Sequence, residues 1–412
     1  MMIKVLQIVV FVLLFAVSAV VASHGSPPGW WQFGEYLDEQ KKIYGVLPSI
    51  TCDTFALTSK QLEMCTNPRY RELMIKMGLS VNVAALVSNY TFQNRRWNGY
   101  YTGGENVFGE IMTLPIKESA VVYSLVSAMA MYTVARECAR GELSALCSCA
   151  KHPPDLDKEG WADVAPEHYN RDRNVEMHWG GCTEDIGAGY RLTKQFIDSS
   201  WLPSWPPYAR MAPSPALEPW PTAWPSPDHA LSDDDRTEVA EHLANLHVSE
   251  QGRQLIRKSE DVQCRCHGMS GSCALQTCWK EMKHWKEVGA DVKDAYDSAV
   301  KVKLNHKATR PKLVNSDATV KKHTEDDLVY LHDSPSFCDR NDKLGIPGTS
   351  GRECNISSVA ENSCSVLCCS RGHKTVVQNE VVVCGRTLIR HPPPIRFVYK
   401  RCEVRTTKYF CK

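Results

Sequence analysis

Apolar positions are most concentrated between residues 120 and 135, where a few serine, tyrosine and threonine side chains interrupt a nearly continuous run. Lys117 and Glu118 precede this run, and Arg136 follows it directly. Because a helix needs about 20 apolar residues to cross a bilayer, the run is too short for a membrane span. It predicts a fully buried core helix, and no other segment beyond the first residues is expected to span a membrane.

A second helical pattern begins at Ser232. Val239, Leu243 and Leu246 recur at the spacing of one apolar helix face. Ser232 and Asp235 occupy the positions of a capping box, with aspartate in place of the usual glutamate. The pattern predicts a helix that turns one face toward the core.

The pattern changes after Cys278. A helical pattern includes residues 291–302, and residues 327–338 are predicted to begin with a strand. Runs rich in β-branched residues then end at Cys384 and surround Cys402. The chain is therefore predicted to form a larger, mostly α N-terminal domain and a small disulfide-rich β C-terminal domain.

A proline- and tryptophan-rich segment, residues 199–231, separates the first two helical patterns. It contains nine prolines and four tryptophans. Proline fixes φ and lacks the N–H donor, so the segment is predicted to be an extended, largely irregular loop. Two interpretations stay open, a tolerated insertion and a contact surface that presents tryptophan.

The start of the chain has the features of a secretory signal peptide. Lys4 precedes an apolar run from residue 5 to residue 21, and the small residues Ala22 and Ser23 follow. A basic start, a short apolar core and an end of small residues together predict a signal peptide over residues 1–22, with cleavage near Ala22. A membrane anchor is the alternative, but the run is short for a stable span.

Secretion changes the interpretation of the 18 cysteines. Ten of them lie before residue 280, and eight lie between Cys338 and Cys411. In an oxidising compartment an even, high count predicts disulfides. The formal net charge of +1 also shows that the whole molecule is not a polycation.

The segment CRCHGMSGSC, residues 264–273, raises the question of a metal site. Cys264, Cys266, His267, Cys273 and Cys278 would be its ligands. Thiolate zinc sites are typical of reducing compartments, so no metal is expected here.

The same segment also suggests a nucleophile on a tight turn. The elbow motif of hydrolases is G-x-S-x-G. Gly268, Met269, Ser270 and Gly271 are followed by Ser272, so the final glycine is missing. No acid and histidine complete a triad, and no catalytic residue is predicted.

Seven blocks of the chain together resemble the Wnt family of signalling proteins, in the family's order. They are RRWN (95–98), ECARGELSALCSC (ending at 149), WGGC (ending at 182), NLHVSEQGR (ending at 253), CRCHGMSGSCALQTCW (264–279), DLVYLHDSPSFC (ending at 338) and CCSRGH (ending at 373). A terminal CK closes the chain, as in the family.

The resemblance implies a two-domain fold. Residues 23–334 would form a mostly α N-terminal domain that includes the segment 199–231 and a disulfide-tied hairpin, the thumb, at residues 264–278. Residues 335–412 would form a cysteine-rich finger domain.

The resemblance also implies a secreted morphogen without catalytic activity, which acts in cell–cell signalling, cell fate and polarity during development. A monounsaturated fatty acyl group would be attached to Ser270, and Ser272 is the alternative acceptor. The acyl group and Met269 would bind the Frizzled cysteine-rich domain, and an apolar fingertip formed by Leu388, Ile389, Ile395 and Phe397 could make the second contact.

Further partners follow from the same resemblance. Co-receptors related to the low-density-lipoprotein receptor would bind elsewhere on the ligand. The acyltransferase Porcupine would attach the lipid in the endoplasmic reticulum, and the carrier Wntless would export the protein to the extracellular space and matrix. The lipid would allow reversible membrane association. Two other hypotheses are a secreted carrier of non-covalent fatty acid and a secreted hydrolase.

The family pattern implies nine disulfides: 52–65, 138–147, 149–182, 264–278, 266–273, 338–369, 354–364, 368–411 and 384–402. Two family cysteines that flank RRWN are replaced by Ser88 and Gly99. Four fingertip cysteines are also missing between Cys384 and Cys402. There, three prolines at 392–394 predict a stiff, unpaired tip.

Two features concern the surface. Asn89 and Asn355 begin N-x-S/T sequons and are predicted glycosylation sites. From Cys384 to Lys412, eight Lys or Arg residues face one acid, Glu403. This charge predicts either a solvated basic face or contact with heparan sulfate proteoglycans, which salt would screen.

Overall fold

The computed structural model describes residues 29–47, 49–99, 108–152, 176–201, 233–271, 273, 275–305, 311–389 and 396–412. The chain divides into two compact units. One contains Met1–Thr91 and Gly103–Ser334, and the other contains Phe92–Thr102 and Pro335–Lys412. The predicted signal peptide, residues 202–231 of the proline- and tryptophan-rich segment, and Ser232 of the predicted capping box lie outside the described residues.

The first unit is mainly helical. Its described helices are α1 (Gln32–Tyr44), α2 (Ser59–Thr66), α3 (Arg71–Phe92, whose last residue belongs to the second unit), α4 (Lys117–Ala139), α5 (Ile186–Ile197), α6 (Asp233–Lys258) and α7 (Trp285–Asp297). One sheet has the order β1 (Glu176–Trp179), β3 (Leu275–Met282), β2 (Glu260–Cys266). A second has the order β5 (Leu313–Asn315), β4 (Val300–Leu304), β6 (Val329–Tyr330).

Helix α4 forms the centre of this unit. It contains the apolar run at 120–135, and nearly all of its side chains are buried, so the predicted core helix is confirmed. The expectation that no later segment could span a membrane is wrong by length and composition, since Pro68–Phe92 and Lys117–Ala139 both qualify. In the second of these, 94% of the apolar window is buried inside the protein, as in the core helix of a folded domain.

Helix α6 approaches α4 closely at Gly252. A Cβ at this position would lie 2.0 Å from the carbonyl oxygen of Ser124 on α4. The next residue, Arg253, is fully buried, and its guanidinium contacts Asp198 at 2.9 Å and Glu250 at 2.8 Å. Burial raises the pKa of the Glu250 carboxyl, but the Arg253 charge and hydrogen bonds outweigh it and lower that pKa to about 2.

Two sequence predictions are wrong in extent. Helix α7 ends at Asp297, and residues Val300–Leu304 form strand β4 although the helical pattern was expected to reach 302. In β4, Val302 and Leu304 are both buried and Lys303 between them is exposed, which is the alternation of a strand. The strand predicted within 327–338 is only the two-residue β6.

The second unit is built around disulfides. Its sheet has the order β7 (Glu353–Cys354), β9 (Arg396–Cys411), β8 (His373–Ile389), and its described helix is α8 (Cys364–Leu367). The buried core consists of Leu367 and four half-cystines, Cys354, Cys364, Cys368 and Cys411. A small domain with few large apolar side chains thus gains its stability from cross-links.

The segment at 92–99, which includes the RRWN block, packs within this second unit. The Arg352 guanidinium donates to the carbonyl oxygens of Arg96 and Gln93, each at 2.9 Å. Arg96 donates in return to the carbonyl oxygen of Val366, at 3.0 Å from Nε and 2.9 Å from Nη2. A piece of chain that lies between α3 and α4 in sequence therefore completes the C-terminal unit.

Gly252→Ala should destabilise the protein by about 1–3 kcal/mol or more, because the new methyl group overlaps the Ser124 backbone and neither helix can move freely. The measurement is the thermal unfolding midpoint of the secreted protein, together with its yield. Gly187→Ala in α5 is the matched control, since its closest new contacts would be ordinary ones at 3.4 Å. Equal midpoints for the two variants would show that the α4–α6 contact tolerates separation.

Candidate functional site: a disulfide-tied hairpin

Strands β2 and β3 form an antiparallel hairpin that two disulfides close. Cys264 lies directly opposite Cys278 in the register, and the two are bonded. Nearer the tip, Cys266 is bonded to Cys273. A one-residue slip of the strands would separate the first pair, so the bond fixes the register and the side of the hairpin on which each residue lies.

The turn Met269–Gly271 forms the tip of the hairpin. Met269 is 92% exposed, and Ser270 is exposed beside it. Ser270 has φ 59° and ψ 24°, in the left-handed region that non-glycine residues seldom adopt. The left-handed conformation thus belongs to Ser270 itself, the residue at the tip.

The four cysteines that were considered as metal ligands form disulfides. Cys264, Cys266, Cys273 and Cys278 are all half-cystines, so they offer no thiolate to a metal. His267 is exposed, and its backbone N–H donates to the Leu275 carbonyl oxygen at 2.8 Å. It therefore helps to close the hairpin end. Ser272, the alternative acyl acceptor, lies outside the described residues.

The root of the hairpin is held by the chain that follows β1. Strand β1 pairs in parallel with β3, and the Gly180 N–H donates to the Cys278 carbonyl oxygen at 2.9 Å. The Thr183 hydroxyl accepts the N–H of Lys280 at 3.2 Å, and the Glu184 carboxylate accepts the N–H of Met282 at 2.7 Å. Side chains thus continue the pairing beyond the end of β1.

A guanidinium links this root to the central helix. Arg136 of α4 donates to Glu184 at 2.9 Å and to Glu281 of β3 at 2.9 Å. Glu184 is 7% exposed, and its two carboxylate oxygens serve Arg136 and Met282 separately. The hairpin is therefore fixed to the helical core by one buried carboxylate and one cation.

The glycines of the WGGC block permit this approach. A Cβ at Gly180 would lie 2.4 Å from Cγ2 of Thr277, and Gly181 has φ +71°. Cys182 follows at once and is bonded to Cys149. The block places Thr183 and Glu184 against β3, and sequence reasoning did not single out these two residues or Arg136. Their only signal was their position inside or next to the matched blocks.

The other predicted site residues lie elsewhere. Leu388 and Phe397 pair across the β8–β9 hairpin and are 39% and 48% exposed. Ile389 ends β8, and Ile395 and the three prolines lie outside the described residues. Asn89 is partly buried near the end of α3, and Asn355 is exposed. Glycosylation of either stays a prediction.

All 18 cysteines are paired, and the nine pairs are the same as those that the resemblance implies. They are Cys52–Cys65, Cys138–Cys147, Cys149–Cys182, Cys264–Cys278, Cys266–Cys273, Cys338–Cys369, Cys354–Cys364, Cys368–Cys411 and Cys384–Cys402.

Comparison with known proteins adds to this geometry. The model of the wnt family matches residues 53–412. The chain belongs to the Wnt family. Similar relatives are Wnt-5a of Homo sapiens, 31% identical over 89% of this chain and 84% of the relative, and Wnt-16 of Mus musculus, 30% identical over 90% of each.

Two solved structures are also similar to this Wnt family member. Human WLS in complex with WNT8A matches with a TM-score of 0.49 and 22% identity, over 86% of this chain and 98% of that chain. The Drosophila WntD N-terminal domain-linker matches with a TM-score of 0.37 and 16% identity, over 65% of this chain and 98% of that chain.

Glu184→Ala should loosen the hairpin root, because it leaves the Met282 N–H without its acceptor and leaves Arg136 with only Glu281 as a partner, at a cost of about 1–3 kcal/mol. Hydrogen exchange of residues 276–282 should become faster. The exchange rate in the Glu184→Gln protein should lie between those of the wild type and the Glu184→Ala protein, since the glutamine amide oxygen can still accept one hydrogen bond. Alanine at the exposed Glu287 is the control. Unchanged exchange in the Glu184→Ala protein would refute the role given to this carboxylate.

Proposed function

We propose that this Wnt family member is a secreted morphogen, a receptor ligand rather than an enzyme, which acts through a fatty acyl group on Ser270. One observation carries the proposal: in a chain of this family, Ser270 is exposed at the tip of a hairpin that two disulfides close. An exposed hydroxyl on a projecting turn is accessible to a transferase, and in the family the corresponding serine carries a monounsaturated acyl chain.

The rigidity of the hairpin suits a ligand. Binding a flexible loop costs ordering entropy, and a loop already held in shape avoids most of this cost. The bonds Cys264–Cys278 and Cys266–Cys273 provide the shape, and the Arg136–Glu184 contact holds the root. Met269, 92% exposed, adds an apolar side chain next to the acyl chain.

The acyl chain would be the main receptor contact. Each methylene removed from water contributes about 0.8 kcal/mol, so a groove in the Frizzled cysteine-rich domain can hold the chain strongly. Leu388 and Phe397 on the β8–β9 hairpin would supply a second, smaller apolar contact. Co-receptors related to the low-density-lipoprotein receptor would bind other surfaces.

The route to the extracellular space follows from the same family membership. The basic start and apolar run of residues 1–22 support entry into the endoplasmic reticulum, and nine disulfides suit an oxidising compartment. There Porcupine would acylate Ser270, and Wntless would carry the lipidated protein to the cell surface. A single acyl chain gives only weak, reversible membrane binding, so the ligand can leave one cell and bind another.

Ser270→Ala should abolish incorporation of an alkyne-tagged fatty acid and should weaken binding to a Frizzled cysteine-rich domain by at least tenfold, because the buried acyl chain is lost. Mass measurement of the denatured secreted protein should show the acyl adduct in the wild type and its absence in the variant.

Ser272→Ala is the matched control, and its labelling should stay close to that of the wild type. Full labelling of the Ser270→Ala protein would overturn the assignment of this serine. A wild-type mass without any adduct would favour a carrier of non-covalent fatty acid.

A further inference from the structure

The β8–β9 hairpin has one face with an unusual composition. Residues directly opposite in an antiparallel pair lie on the same face, so the register assigns each side chain to a side. One side carries six exposed large apolar residues, here called the aromatic face: Val377, Val381, Val383, Leu388, Phe397 and Tyr399. Their exposed fractions range from 39% to 63%.

A register shift at Cys384 adds Leu388 to this face. The pairs Val383–Arg401 and Gly385–Lys400 are consecutive, so Cys384 is the extra residue of a bulge. Without the shift, Leu388 would lie on the opposite side from Val383. The bulge therefore brings Leu388 to the side that carries Val381 and Val383, where alternation along β9 already places Tyr399 and Phe397.

The opposite face of the hairpin has smaller apolar side chains. Among the residues whose exposure the structure describes, its exposed large apolar residues are four valines, Val376, Val382, Val398 and Val404, each 37–44% exposed. Between Val376 and Val398 it has no aromatic side chain among the described residues. Lys374, Lys400 and Lys408 lie on it, and Lys408 is paired with Glu380 at 2.8 Å, so the two faces differ in their apolar and aromatic side chains rather than in the sign of their charge.

Cations accompany the aromatic face. Arg386, Arg401 and Arg405 lie on it against one acid, Glu403, and the Arg386 guanidinium lies 4.4 Å from the centre of the Phe397 ring. The two strands together carry seven Lys or Arg residues and two acids, a net charge of +5 with histidine neutral, although the whole chain has only +1. The positive charge is thus concentrated on this hairpin.

We propose that the aromatic face of the β8–β9 hairpin docks onto the surface of an anionic phospholipid membrane. Valine, leucine and phenylalanine would enter the boundary between headgroups and acyl chains, and tyrosine is suited to the interface itself. Arginines bury their stems along apolar surface while the guanidinium reaches the lipid phosphates. A sulfated polysaccharide would use the cations but gives no reason for six exposed apolar side chains beside them.

This contact also changes how the acyl chain on Ser270 would act, a consequence that rests on the proposed function. One acyl chain anchors a protein only marginally, and stable binding takes a second signal such as a basic patch. Before the receptor binds Leu388 and Phe397, the hairpin would be that second signal, and its membrane binding would be sensitive to the anionic lipid content of the membrane. Lipid binding by the hairpin itself does not require acylation.

The test uses the full-length, disulfide-bonded protein with the Ser270→Ala substitution, so that no acyl chain contributes; it is purified from the cell lysate if it is not exported. It is sedimented with vesicles of phosphatidylcholine alone and with vesicles that also contain phosphatidylserine. We expect binding to the anionic vesicles only, and a decrease of tenfold or more in the partition coefficient when salt is raised from low to high concentration.

Two triple variants with the same chemistry decide which face binds. Val381→Thr, Val383→Thr and Phe397→Thr alter the aromatic face, and Val376→Thr, Val382→Thr and Val398→Thr alter the opposite face. Threonine keeps the β-branched shape that suits a strand. The first triple should lower the partition coefficient at least tenfold, and the second should change it less than twofold.

Three results would overturn the proposal: no binding of the Ser270→Ala protein to anionic vesicles, equal losses in the two triple variants, or heparin retention that depends on the aromatic face while vesicle binding is absent. The last would assign the hairpin to sulfated glycosaminoglycan. Two single substitutions, Val381→Thr and Phe397→Thr, replace the triple if it is not secreted. If the wild-type protein carries no acyl adduct, the proposed function is refuted. If the Ser270→Ala protein nevertheless binds anionic vesicles, the present proposal still stands.

Discussion

The position of the thumb depends on one buried carboxylate. Glu184 accepts hydrogen bonds from Arg136 of the central helix and from the Met282 N–H at the base of β3. A two-stranded hairpin is at best marginally stable in water, and disulfides stiffen it only internally. The direction of the hairpin relative to the helices is therefore set by the contacts at its root. The Glu184 contact and the pairing of β1 with β3 fix the base of the hairpin. Without them the hairpin would stay rigid internally but could change its orientation relative to the helices.

The sequence predicted those features that depend on local pattern. The buried helix at 120–135 was evident because it is apolar on all sides, and the resemblance identified the thumb through closely spaced cysteines. The pair Arg136 and Glu184 could not be foreseen, because 48 residues separate them and neither stands out by composition. The left-handed conformation of Ser270 has no signal in the sequence, because positive φ is the usual property of glycine and serine seldom adopts it.

Several blocks that carry the family resemblance have packing roles distant from the tip. Gly252 allows two helix backbones to approach, and Arg253 fills the same contact with a paired, fully buried charge. The glycines before Cys182 allow the chain to reach β3. The RRWN block lies within the C-terminal unit, held by guanidinium groups that donate to backbone carbonyl oxygens. In each unit, these residues maintain the packing of the framework rather than form part of the exposed tip.

Because the four fingertip cysteines of the family pattern are missing, the β8–β9 hairpin depends more on its strand pairing. The β8–β9 hairpin pairs over its whole described length but retains one cross-link, Cys384–Cys402, located at the bulge. Its valines favour the strand conformation without a core on either side, because β-branched side chains pack against their cross-strand neighbours. Exposed valines on an open ribbon also favour association with other strands, and cations on both faces oppose it. The charge that protects the hairpin from self-association is the same charge that would draw it to an anionic surface, so one set of cations would serve both purposes.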